Sequence, residues 1–145
     1  MRPVARGRFA LAAALAAAAL AFASPLQAAP GDKQYTIITI HSPQAFIKAL
    51  RAGADFAGGK GRRFRIVLAS AGVIVAIPGV AISQLEYLKT RRPAGLEIIA
   101  CKETVDALSK ANKRRMPTLP GIKVQTCASM RNKMTVDGWQ TAPGL

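Results

Sequence analysis

The chain has 145 residues, with 21 lysines and arginines against seven acids, a formal charge of +14. That length allows one domain with a substantial core, and the charge favours anionic partners such as phosphates, lipid head groups or an acidic protein. One histidine and two cysteines, with no CxxC or Cys/His ligand spacing, exclude the common structural zinc sites, and no metal is expected.

Residues 1–28 read as a secretory signal peptide. Arg2, Arg6 and Arg8 form a positive start, residues 9–23 are an unbroken apolar run, and Ser24-Pro25-Leu26-Gln27-Ala28 supplies small residues for cleavage after Ala28. The apolar run spans 15 positions, whereas a membrane-spanning helix needs roughly 20. A periplasmic or secreted product with no stable anchor after cleavage is therefore expected. The remaining 117 residues, 29–145, keep 18 basic and all seven acidic residues, for a charge of +11. They are expected to form a single domain.

A strand is predicted over 35–40, rich in β-branched residues and ending near His41. Ser42-Pro43 opens a helix, with Ser as N-cap, Pro in the first turn and an apolar stripe of Ala45, Phe46, Ala49 and Leu50. Gly58-Gly59 marks the loop out. A second strand covers 64–69, and Ser70-Ala71-Gly72 turns the chain. The shape of 73–78 is not readable from pattern. A helix over 79–90 offers Ile82, Leu85, Tyr87 and Leu88 for burial, and Pro93 follows its end. The third strand runs over 96–100 and closes at Cys101. A helix over 103–112 follows, with acids at its start and lysines at its end, as the helix dipole favours. The fourth strand, 122–126, ends at Cys127. A last helix covers 128–136, and the tail from Trp139 is a candidate edge strand. Regular alternation of strand and helix predicts an α/β fold: one open, mostly parallel sheet with helices on both faces, of flavodoxin-like or Rossmann-like type.

Sites in such sheets lie beyond the carboxyl ends of the strands. His41, Ser70, Cys101 and Cys127 fall there. Cys101 stands between a strand and a helix start, whose partial positive charge lowers a thiol pKa, and Lys102 adds a cation. Burial beside Ile98 and Ile99 pushes the other way, so a reactive thiolate and a packed apolar residue both stay open. If the third and fourth strands are neighbours, Cys101 and Cys127 come within bridging distance. His41 is a base for either thiol or a polar strand cap. Ser70 and Gly72 offer a hydroxyl and a backbone N–H to an anion. No GxGxxG or GxxxxGK[ST] phosphate fingerprint occurs, so no nucleotide or other cofactor is expected. Aromatics are not interleaved with the scattered basic clusters, so no nucleic-acid partner is expected either.

From Phe64 onward the chain resembles the DsrE/DsrF-like family. Residues 64–69 resemble its second strand. Gly95-Leu96-Glu97-Ile98-Ile99-Ala100-Cys101 resembles its glycine-led third strand ending in Ala-Cys, and Leu119-Pro120-Gly121-Ile122-Lys123-Val124 its entrance to the fourth. Gly138-Trp139 matches a glycine–aromatic pair near the C-terminus. The resemblance implies a flavodoxin-like sheet, homo- or hetero-oligomers, and sulfur relay in which a cysteine carries persulfide. Cys101 matches the family's cysteine. The chain departs from the family in its export signal and in Ala69-Ser70-Ala71-Gly72, where relatives carry a His-Gly type of turn. Two functions follow. One is an exported thiol-based sulfur carrier working with a sulfur donor or acceptor protein, with Cys101 as persulfide or thiolate. The other is a non-catalytic binding or oligomeric assembly module with a basic surface. No paired carboxylates, nucleophile elbow or metal cluster argue for a hydrolase.

Overall fold

A computed structural model describes residues 31–79 and 82–145. The expected signal peptide lies outside the described residues. Five strands, β1 (Lys33–Ile38), β2 (Arg63–Leu68), β3 (Leu96–Cys101), β4 (Ile122–Gln125) and β5 (Gln140–Thr141), form one sheet. Its order is β4-β3-β2-β1-β5, and every pairing is parallel. The helices are α1 (Pro43–Ala57), α2 (Ile82–Lys89), α3 (Lys102–Ala111) and α4 (Cys127–Val136), with a 3-10 helix over Ser70–Ala76. This is the open, doubly wound α/β class that the alternation predicts.

Strand alternation divides the residues between two faces. Phe64, Ile66 and Leu68 of β2 and Leu96, Ile98 and Ala100 of β3 point to the first face. There they pack with Phe46 and Leu50 of α1, Val73 and Val75 of the 3-10 helix, Tyr87 of α2 and Val105 of α3. The second face carries Val67, Ala69, Ile99 and Cys101, covered by Cys127, Met130 and Met134 of α4 and by Trp139. Helices therefore lie on both faces, but unequally.

Local chemistry explains the elements. The Ser42 hydroxyl accepts the Ala45 N–H at 3.2 Å, and Pro43 loses nothing at the first helical position, where an N–H has no intrahelical partner. Gly72 lies against the Ile38 carbonyl, where a Cβ would collide with the backbone. That contact is fixed as the Ala69 N–H donates to Ile38 O at 2.9 Å. Gly121 holds φ +80 in the turn into β4, a left-handed conformation that glycine adopts without a Cβ clash.

Two expectations are corrected. The segment past β2 is a 3-10 helix beginning at Ser70, where a turn followed by an unassigned stretch was expected. On α2 only Tyr87 of the expected apolar set is buried; Ile82, Leu85 and Leu88 are exposed, and Ser83 and Gln84 face inward. The reason is polar. The Gln84 amide donates to the Val75 and Ile77 carbonyls and its oxygen accepts the Gly79 N–H at 2.6 Å, satisfying backbone that the 3-10 helix leaves behind. Tyr87 donates its hydroxyl to Pro120 O at 2.5 Å.

Candidate functional site

β3 and β4 are neighbours, with Ala100 level with Val124 and Cys101 with Gln125. The chain then carries Cys127 back over the second face at the start of α4. Cys101 and Cys127 form a disulfide with Cα atoms 5.2 Å apart. Both residues are buried, at 3% and 7% exposure, so the bridge is shielded from bulk solvent.

The bridge joins two helix starts. Cys101 is the N-cap of α3, and Cys127 is the first residue of α4, whose N-cap is Thr126. Neither N-cap side chain caps its helix. Glu103, in the first turn of α3, does that work across the gap. Its carboxylate accepts the Cys127 N–H at 3.0 and 3.2 Å. Hydrogen bonds from its own N–H and from those of Cys127 and Ala128 hold its pKa below the ordinary glutamate value, against a smaller opposing push from burial. One carboxylate thus sits in the positive ends of two helix dipoles. Its oxygen and the two sulfurs lie within 4.8 Å of one another.

The electrostatics of a reduced pair follow. Two helix N-termini favour thiolate at either sulfur, while the Glu103 charge opposes it. Reduction would leave three ligand atoms together, two sulfurs and a carboxylate oxygen. The bridged form commits both sulfurs to each other and offers a cation no thiolate.

The remaining rim residues do not join this cluster. His41 is exposed, three positions beyond β1 and just ahead of α1. Ser70 is exposed at the start of the 3-10 helix and holds φ 49, unusual for a residue with a Cβ. Among the described residues no hydrogen bond joins either side chain to a cysteine. Gly72 donates its N–H to Ala69 O at 2.9 Å and serves packing, so that N–H is not free for an anion.

Glu103 escapes sequence reasoning as a site residue. Its position two after Cys101 signals only a helix start, and its contact with Cys127 spans 24 residues. A second unforeseen cluster lies on the same face. Glu97 receives Arg65 at 2.8 Å, Lys123 at 3.0 Å and Arg63 at 3.5 Å. Burial pushes its pKa up, but the hydrogen bonds and charges of Arg65 and Lys123 together outweigh that and hold the carboxyl below its ordinary value. The Arg65 and Arg63 guanidiniums lie 4.2 and 5.5 Å from the Trp139 ring centroid. No described helix is long and apolar enough to cross a membrane.

No family profile matches the sequence, and no curated protein matches it significantly. Among solved structures the chain is similar to a protein of unknown function from Methanobacterium thermoautotrophicum. The TM-score is 0.54 and the identity 18%, covering 76% of this chain and 96% of that one. At that identity the likeness shows the fold alone: the open, parallel, helix-flanked sheet described above.

Proposed function

We propose that this chain is an exported, DsrE-like protein that handles sulfur through the Cys101–Cys127 pair. The observation that carries the reading is the bridge itself, which joins two helix N-termini at the carboxyl rim of the sheet. The Arg-led, Ala-rich leader supports export, and a disulfide suits an oxidising compartment. A dithiol reductant supplies two electrons and two protons, the S–S bond breaks, and two thiols form. The Cys101 thiolate then attacks the terminal sulfur of a persulfide donor, R–S–SH. Cys101–S–SH forms and R–S⁻ leaves. Attack by the Cys127 thiolate on the Cys101 sulfur restores the bridge and releases HS⁻. Relay to an acceptor protein is the same displacement with the acceptor's thiolate attacking the terminal sulfur.

Intact mass spectrometry tests this. Protein treated with a dithiol reductant and then with a persulfide donor should gain one sulfur mass. Cys101→Ser should abolish the gain, and Cys127→Ser should retain the added sulfur longer because its release step is missing. A reduced protein whose Cys101 adds no sulfur would overturn the reading.

The second reading, an oligomeric assembly module, draws on the Ile82, Leu85 and Leu88 side chains that α2 leaves exposed. A second copy of the chain is the proposed cover. Light scattering at the monomer mass would remove that reading.

A further inference from the structure

Beside α4, on the second face of the sheet, runs a groove of about 570 Å³, within the range of small-molecule sites. Lys33 of β1, Arg63 and Arg65 of β2, Lys102 of α3 and Lys133 of α4 line it, with Asp137 as the one acidic lining residue. All seven acids of the sequence fall within the described residues, so no masked carboxylate offsets this charge. The nearby Glu97 carboxylate is shared by Arg63, Arg65 and Lys123, and Lys102 is paired with Asp106; against these acids and Asp137 the cations remain in excess.

We propose that this groove binds a small polyanion, a molecule carrying two or more phosphate, sulfonate or carboxylate groups. Three features carry the assignment. The cations come from four separate elements and are spread along the groove, which suits several anionic groups better than one. Arg65 is already held in place, 14% exposed, between Glu97 and the Trp139 ring, so little side-chain entropy remains to be lost on binding. Its Nε and Nη2 already donate to Glu97 Oε2, which leaves the Nη1 side of the guanidinium to donate to an oxyanion. Lys133 is exposed and Lys33 half-buried, its amine on the Asp137 carbonyl, and both add to the field that draws an anion in from solvent. The inference goes beyond the thiol reading and does not rest on it: unreactive cysteines would leave it standing.

Trp139 is the single tryptophan of the chain and lies under two of the arginines, so its fluorescence reports on the groove directly. The probe is inorganic tripolyphosphate, titrated at low ionic strength. A saturable change in fluorescence is expected, weakening as salt is added, with orthophosphate binding less tightly. The double variant Lys33→Gln, Lys133→Gln should bind about five- to tenfold more weakly, the scale of two partly screened ion pairs. Lys60→Gln, in the exposed loop after α1, should bind as the parent does, and circular dichroism should show both variants folded. The absence of a saturable change would overturn the proposal. An equal loss in Lys60→Gln would do so too, by showing attraction to net charge alone. Saturation by a hexaglutamate peptide with none by tripolyphosphate would replace the small polyanion with an acidic protein partner.

Discussion

On the first face of the sheet, α1, the 3-10 helix, α2 and α3 close over Phe64, Ile66, Leu68, Leu96 and Ile98, and the core there is almost wholly apolar. On the second face α4 packs through Cys127, Met130 and Met134 on Val67, Ile99 and Cys101, and its far end reaches the start of β1, where the Lys33 amine donates to Asp137 O. The amino half of that face presents Arg63, Arg65 and Glu97, and Lys123, level with Ile99, reaches back to the Glu97 carboxylate. The first face is held by buried apolar area, which is strong and chemically inert. The second adds to a smaller apolar cluster a covalent bridge and a shared carboxylate, both of which respond to solution conditions. The bridge and the shared carboxylate thus lie on one face of the sheet.

Three measurements break or sharpen that contrast. Phe46→Ala removes a fully buried ring from the first face and should cost about 3–5 kcal/mol in urea or thermal unfolding, with or without reductant. Reduction of the bridge should cost about 3.5 kcal/mol, the chain-entropy value for a separation of 26 residues. That loss should appear as a difference between unfolding curves with and without a dithiol, and should vanish in the Cys101→Ser, Cys127→Ser double variant. If reductant leaves the parent's midpoint unchanged, the bridge contributes nothing to the second face. Glu97→Gln should cost about 1–2 kcal/mol, because Arg65 loses its ionised partner in a mostly covered site.

The last variant also carries a pH signature. The folded pKa of Glu97 lies below its unfolded value. Its contribution is therefore fully present above the unfolded value, roughly 4.3, and is lost as pH falls through the lower folded one. Unfolding free energies measured from pH 6 to pH 3 should fall less steeply in Glu97→Gln than in the parent. Parallel curves would show that the carboxylate is not the sensitive group.

Much of this division is legible in the chain. Arg-Phe-Arg-Ile-Val-Leu and Leu-Glu-Ile-Ile-Ala-Cys alternate in their first halves and turn apolar in their second. That is the pattern of a face whose apolar residues lie toward its carboxyl end. Ser42-Pro43 announces α1, and the strand ends place both cysteines on one rim. What stays hidden depends on partners far away in sequence. Tyr87 reaches Pro120 across 33 residues, and Arg65 reaches Glu97 across 32. The inward turn of Ser83 and Gln84 defeats apolar counting, because α2 is oriented by carbonyls of the preceding segment that need a donor. Glu103 is invisible for the same reason: its second helix arrives only when β4 pairs with β3.

The sheet's borders bear on how the molecule meets its neighbours. β4 offers four residues at one border and β5 two at the other. Such short borders expose few unpaired amides and carbonyls, and Lys123 places a charge on the longer one. Strand addition by a peptide or a second copy would gain little backbone hydrogen bonding. The two edge strands therefore present little backbone to a neighbour, whereas the α2 side chains Ile82, Leu85 and Leu88 stand exposed.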